Sequence, residues 1–301
     1  MDVFTQLLVQ GLTIGSFYAL VALGYTMVYG IIRLINFAHG DLFMVGAFVG
    51  WSVLTPLLGA QLHSYLGLAV AAALAGSLLF TGALGVAIER VAYQPLLTAP
   101  RLSILITALG VSLALENAVL IIYGPGFNTY PHILANSGFF VGAAHISWAQ
   151  IGIIVSSLIL MLALYLFVHR TYVGTAMRAL AVDQDAARLM GINVEQVIQL
   201  TFFIGSALAA IAGVMEGVYY TQINFFMGFL LGLRAFTAAV LGGIGNIPGA
   251  MAGGVLIGLL EAFFSGYLSS EWTDVFVFGI LIAVLTVKPT GLFGERVVER
   301  M

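Results

Sequence analysis

The chain has 301 residues, of which 61% are hydrophobic and 8% charged, with a formal net charge of −3 and a mean hydropathy of +1.09. Apolar runs of about 20 residues recur along it, which match the hydrocarbon thickness of a bilayer and exclude the alternating ~10-residue strands of a β-barrel. There is no cysteine, so disulfide and thiol chemistry are excluded.

Met1-Asp2 opens the chain without a basic segment, so the first apolar run reads as a retained helix and not a cleaved signal. Hydrophobic spans are expected at 7–30, 41–58, 65–88, 102–123, 148–168, 196–217, 230–243, 249–266 and 272–288. The fold class is therefore all-α and polytopic, with about nine transmembrane or half-membrane helices, or eight if one pair is re-entrant. A single transmembrane domain, 1–301, is expected. Its 36 glycines suit helices that pack closely in lipid.

The first break falls at Asn36-Phe37-Ala38-His39-Gly40-Asp41. It reads as a hinge or gate, or equally as a tight interhelical turn. Asp41 fits the N-terminal turn of the helix after the break. The seventh and eighth spans meet at Gly242-Gly243-Ile244-Gly245-Asn246-Ile247-Pro248-Gly249, which cannot be a straight helix interior. Both breaks interrupt an apolar run and then open a helix. Paired breaks in two halves accompany repeat-built transporters, although a match this short also fits two unrelated turns.

With the N-terminus outside and nine crossings, Arg33, Arg90, Arg101, Arg170, Arg178, Arg188, Lys288, Arg296 and Arg300 fall on one side. The positive-inside rule makes that side cytoplasmic. Arg234 is the exception, and 102–169 holds no Lys or Arg, as suits an external loop at 124–147. Glu116, Glu216, Arg234 and Glu261 lie inside spans, in the outer half. A charge at the bilayer centre costs at least about 2.5–3.5 kcal/mol. One cation among three carboxylates therefore reads as a polar cluster at the external mouth, with Arg234 paired to Glu216 or Glu261. Snorkelling and packing contacts stand beside it as the plainer reading.

Residues 171–195 form the one long polar island, holding Arg178, Asp183, Asp185, Arg188 and Glu195. Ala179, Val182, Ala186 and Leu189 recur at helical spacing and share a face. Asp185–Arg188 is an i,i+3 pair, Gly191 suits a helix-ending position, and Asn193 with Gln196 resembles a capping box. Concentrating so many of the chain's few charges in one loop points to a soluble partner. A helix resting on lipid headgroups is the plainer reading, and such helices carry Lys with Trp or Phe, which this one lacks.

Lys288 is the only lysine, so no GxxxxGK[ST] phosphate cradle exists and any ATP-driven step belongs to another chain. His39, His63, His132, His145 and His169 lack metal-ligand or HExxH spacing. No catalytic, cofactor-binding or metal residues are expected, and no nucleic-acid partner.

The runs Gly24-Tyr25-Thr26-Met27-Val28-Tyr29-Gly30, Ile35-Asn36-Phe37-Ala38-His39-Gly40-Asp41, Ile88-Glu89-Arg90-Val91-Ala92-Tyr93-Gln94-Pro95, Met190-Gly191-Ile192-Asn193, Ala235 to Ala250 and Pro289-Thr290-Gly291-Leu292-Phe293-Gly294 resemble the LivH-type permease of bacterial branched-chain amino acid ABC importers. The resemblance covers nearly the whole chain and is weakest at 124–147. It implies a multi-pass permease of the bacterial inner membrane, working with a second, LivM-like permease, two cytoplasmic ATPases that use ATP and Mg2+, and a periplasmic binding protein. It also implies that 171–195 is the coupling element docking on an ATPase, and that a loaded binding protein docks on loops near 59–64, 124–147, 218–229 and 267–272. Leucine, isoleucine and valine are the implied cargo; urea or amides are carried by close relatives. An ion-coupled secondary transporter using Glu116, Glu216 or Glu261, and a passive channel, remain the alternatives from other classes.

Overall fold

The computed structural model describes residues 2–59, 66–96, 99–131, 138–142 and 144–294. The loop at 60–65 with His63, the stretch 132–137 with His132, and Arg296 and Arg300 lie outside the described residues. Eleven α-helices occur among the described residues: α1 (Asp2–Ile32), α2 (His39–Gly59), α3 (Leu66–Ile88), α4 (Arg101–Tyr123), α5 (Trp148–Arg170), α6 (Tyr172–Val182), α7 (Gln184–Leu189), α8 (Val194–Tyr220), α9 (Met227–Gly242), α10 (Ile247–Tyr267) and α11 (Thr273–Val287). Seven are long and apolar enough to cross a bilayer, and α9 and α11 are shorter apolar helices. Together these account for the nine expected spans; the glycine-rich break suggests a short or irregular seventh and eighth span, but the short ones are the seventh and ninth, and the eighth, α10, is long enough to cross.

Among the described residues four short strands occur outside the bundle. β1 (Asn128–Thr129) pairs antiparallel with β4 (Gln222–Ile223), and β2 (Gly138–Val141) pairs with β3 (Ala144–Ser147). α3 continues as a π-helical turn, Glu89–Tyr93, and a 3-10 turn, Gln94–Leu96.

The core is built from α1, α2, α8, α9 and α10, while α3, α4 and α5 turn apolar side chains such as Phe80, Ile106, Ile121 and Ile159 outward. Lipid offers no hydrophobic force between helices, so close backbone approach has to supply the packing energy. The tightest seam runs between α1 and α10. Gly11, Gly15 and Ala19 meet Gly254, Gly258 and Ala262, and a Cβ added at Gly11 or Gly15 would lie 2.8 Å from the α10 backbone. Four-residue spacing of small residues on both helices makes this approach available.

Two ends of the bundle are distinguished by their contacts. At one end lie the end of α1, the α6–α7 segment, the α9–α10 connection and residues 288–294: Gln184 reaches Ile31, and Leu292 and Phe293 donate to the carbonyls of Leu241 and Gly242. At the other end β1 meets β4, and Trp51 Nε1 donates to the Thr129 carbonyl at 2.9 Å. Tyr130 is fully buried there and donates to the Ala47 carbonyl at 3.0 Å. Burial raises its hydroxyl above the usual tyrosine range, so it stays a donor.

Candidate functional site

The first break is a re-entrant turn. α1 ends at Ile32, and Arg33 takes a left-handed φ of 52°. Asn36 shapes the turn that precedes the new helix, its Oδ1 accepting from Ala38 N at 3.1 Å and from Tyr93 Oη at 2.7 Å. The π-helical turn at the end of α3 carries Tyr93. His39 lies against Gly24, where an added Cβ would fall on the imidazole. Gly24 is eight residues before the end of α1, so α2 starts about 12 Å inside that end at 1.5 Å per residue.

The start of α2 is locked on two other sides. Gly40 lies against Gly228 and Gly232 of α9, where a Cβ would approach the Gly232 Cα to 2.8 Å. Ser112 and Glu116 of α4 lie within electrostatic reach of the Asp41 carboxylate. Thr26 Oγ1, Asn36 Nδ2, His39 Nε2 and Asp41 Oδ1 are buried without a hydrogen-bond partner.

The second break repeats the device. Gly243 and Gly245 take φ of 105° and 95°, conformations open to glycine at little cost. Asn246 caps α10 through Gly249 N at 3.1 Å, and Pro248 sits in the first turn, where its missing N–H is harmless. Gly249 packs on Gly242. Asn246 Nδ2 also holds the Phe293 carbonyl at 2.9 Å.

Residues 171–195 are two helices and not one. Asp183 is extended and its Oδ1 accepts from Asp185 N and Ala186 N at 2.9 and 3.0 Å, which ends α6 and starts α7. A side chain able to cap from mid-segment competes with the helix through it. The stripe Ala179, Val182, Ala186, Leu189 is therefore not a continuous buried face. The buried side of α6 is Gly174, Met177 and Leu180, whereas Val182, Leu189 and Met190 are 81%, 89% and 83% exposed. Arg178, Asp183, Asp185, Ala186 and Arg188 share that exposed surface. Asp185 and Arg188 form no ion pair. Gly191, at φ 85°, closes α7: its N–H donates to the Arg188 carbonyl and Ile192 N to Ala187, a Schellman ending. Gln196 N donates to Asn193 Oδ1 at 3.2 Å, opening α8.

Of the four intramembrane charges, the structure brings Arg234 and Glu261 together at 2.7 Å. Tyr18 Oη donates to the other Glu261 oxygen at 2.6 Å and accepts from Arg234 at 3.1 Å. Asp274, in the first turn of α11, takes Arg234 Nε at 2.8 Å and Nη2 at 2.6 Å. Glu216 lies within the field of this group, with one buried carboxylate oxygen unpartnered. Glu116 forms no ion pair with Arg234, and its field acts on Asp41 instead.

Sequence reasoning missed Tyr18, Asp274, Tyr93 and Gln184. Asp274 was open to notice as a second acid near a span end. The other three are neutral, and only their neighbours in space give them a role. His145 packs on Phe140 and His169 on Tyr165, and no metal-binding cluster occurs among the described residues.

Residues 7–285 match the family described as branched-chain amino acid transport system, permease component. The chain is 47% identical to the high-affinity branched-chain amino acid transport system permease protein BraD of Pseudomonas aeruginosa, over 99% of this chain and 98% of the relative. It is 46% identical to the corresponding protein LivH of Escherichia coli K12, over 99% and 98%. A probable branched-chain amino acid transport permease, LivM of Methanocaldococcus jannaschii, is 28% identical over 62% of this chain and 60% of its own. No solved structure matches the chain at a significant level. The glycine-broken helix pairs, the charged loop and the full-length matches converge on one conclusion: the chain belongs to the branched-chain amino acid transport system permease family, as a multi-pass, non-catalytic transport subunit.

Proposed function

We propose that this chain is one of two unlike permeases in an ATP-driven importer for leucine, isoleucine and valine. The near full-length identity to two high-affinity permeases for these amino acids supports the cargo. A LivM-like chain is the second permease; its relationship to this one supports a core of two similar halves. ATP and Mg2+ are handled by two cytoplasmic ATPases, and a periplasmic binding protein delivers the substrate.

The exposed α6–α7 surface carries the mechanistic reading. Leu189, Met190 and Val182 stand in water beside Arg178, Asp183, Asp185 and Arg188, at the end of the bundle that holds both breaks. An apolar knob ringed by charges is the composition of a protein interface. This is the ATPase-coupling element. Arg33, Arg90, Arg170, Arg178, Arg188 and Lys288 belong to the same end, which supports an inner-membrane topology with the N-terminus outside and this end cytoplasmic.

Asn36, His39, Gly40 and Asp41, with Gly243, Gly245, Pro248 and Gly249, form the cytoplasmic gate. Their buried unpartnered atoms favour a second state in which water reaches them, because each such atom costs about 1–3 kcal/mol while dry. Arg234, Glu261, Asp274 and Tyr18 close the outer half, with Glu216 beside them. Of the three carboxylates an ion-coupled carrier would use, Glu261 is already held by Arg234 and Tyr18.

Isolation of the chain from its native membrane in mild detergent tests the assembly. ATPases and a second permease in stoichiometric amounts are expected. Recovery of the chain alone, in a form that transports leucine in liposomes without ATP, would overturn the reading.

A further inference from the structure

The α6–α7 segment is fastened to the helix that leads into the first break. Gln184, the first residue of α7, donates from Nε2 to the Ile31 carbonyl at 2.9 Å, across 153 residues of chain. That carbonyl is one of the last four of α1, which have no partner within the helix. A cavity of about 250 Å³ separates the two elements, with Ile32 and Arg33 on one wall and Leu180, Val182 and Asp183 on the other. Gln184 is the hydrogen bond that crosses from one wall to the other.

The turn after Ile31 makes the contact consequential. Arg33 is held left-handed, a conformation that costs a non-glycine residue roughly 1–2 kcal/mol. Three residues later Asn36 accepts from Tyr93 Oη and from Ala38 N in the turn that leads into α2. A pull on the Ile31 carbonyl thus reaches a strained turn, and through it the Asn36 turn that leads into α2. We propose that Gln184 is a positioning residue that delivers displacement of the α6–α7 segment to the α1–α2 break, acting through the Ile31 carbonyl and the left-handed Arg33. The inference rests on the reading of α6–α7 as the ATPase-docking element.

The test uses the complete transporter, this chain with its second permease, ATPases and binding protein, in proteoliposomes. Leucine uptake and ATP hydrolysis are measured on the same vesicles. Gln184→Leu keeps the side-chain bulk and removes the donor. ATPase association and stimulated hydrolysis should stay within about twofold of wild type, while uptake per ATP falls about tenfold. Gln184→Lys restores a donor for the carbonyl and should recover at least about half of the coupling. Arg33→Gly, which leaves the bond intact but makes the link compliant, should lower the same ratio about threefold.

Unchanged uptake per ATP in Gln184→Leu overturns the proposal. So does a parallel fall of uptake and hydrolysis, failure of Gln184→Lys to rescue, or an Arg33→Gly transporter coupled like wild type. Retention of the ATPases by Ala186→Asp, on the exposed face, would instead overturn the docking reading, a separate result.

Discussion

Arg234 and Glu261 lie 2.7 Å apart on two antiparallel helices whose shared connection is the glycine-rich second break. Arg234 is eight residues from the end of α9, about 12 Å, and Glu261 fourteen from the start of α10, about 21 Å. Side chains on a helix lean toward its N-terminus, so the long guanidinium covers the difference. The pair ties α9 to α10 far from their connection, while Tyr18 and Asp274 extend the tie to α1 and α11.

Removing one partner leaves a charge without its counterion in a low-dielectric setting. Arg234→Met should cost up to about 3 kcal/mol, below the 3–5 kcal/mol of a fully enclosed pair, because Arg234 keeps 24% of its side-chain surface. Thermal unfolding in detergent checks this. The double variant Arg234→Met/Glu261→Gln should be more stable than Arg234→Met alone. A double variant no more stable than the single one would show that the pairing carries none of the cost.

The notch that holds His39 makes a contrast of two glycines. Gly24→Ala drives a methyl into the imidazole and should destabilise by about 1–3 kcal/mol, the usual range for overpacking. Gly110, on the outer side of α4, has open space around an added Cβ. Gly110→Ala should be neutral or stabilising by up to about 1 kcal/mol, from helix propensity alone. Equal melting temperatures for the two variants would remove His39 as a fixed wedge.

Asn36 acts twice, as the acceptor for Ala38 N and for Tyr93 Oη. Asn36→Ala loses both and should cost about 1–3 kcal/mol, the range for two hydrogen bonds at about 0.5–1.5 kcal/mol each. Tyr93→Phe loses one and should cost about 0.5–1.5 kcal/mol. In a double-mutant cycle the two changes should be less than additive, since the second removes a bond already gone. Full additivity would separate them.

The exposed face of α7 allows a test without a stability penalty. Leu189 is 89% exposed, so Leu189→Asp should leave the stability within about 0.5 kcal/mol of wild type. Placed at the centre of an ATPase interface, the same change should reduce ATPase co-purification about tenfold or more. Undiminished recovery of the ATPases would show that the face is not part of that contact.

Much of this arrangement could be read from residue order, because a bilayer forces apolar stretches of fixed length and concentrates the exceptions. The nine spans, both glycine breaks and the charged island came from that constraint. The split of 171–195 at Asp183 did not, because Ala179, Val182, Ala186 and Leu189 keep helical spacing across a residue that caps instead of continuing. The partners of Arg234 were half legible. Glu261 is an expensive charge and stands out, whereas Tyr18 is one apolar-span tyrosine among several. Glu116 was grouped with Arg234 by depth alone, yet it makes no ion pair with that residue and its field reaches Asp41. Depth comes from counting along a span, but which side of a helix faces which neighbour depends on packing between distant segments.

The backbone-to-backbone seam between Gly11, Gly15, Ala19 and Gly254, Gly258, Ala262 has a mechanical consequence. Such a contact leaves no room for one helix to roll over the other, so α1 and α10 behave as a single strut. One end of that strut carries the exit into the first break, and beside it, where Gly30 approaches Gly245, the entry from the second. The two interruptions are yoked: whatever swings one swings the other, and damage to either will be felt at both.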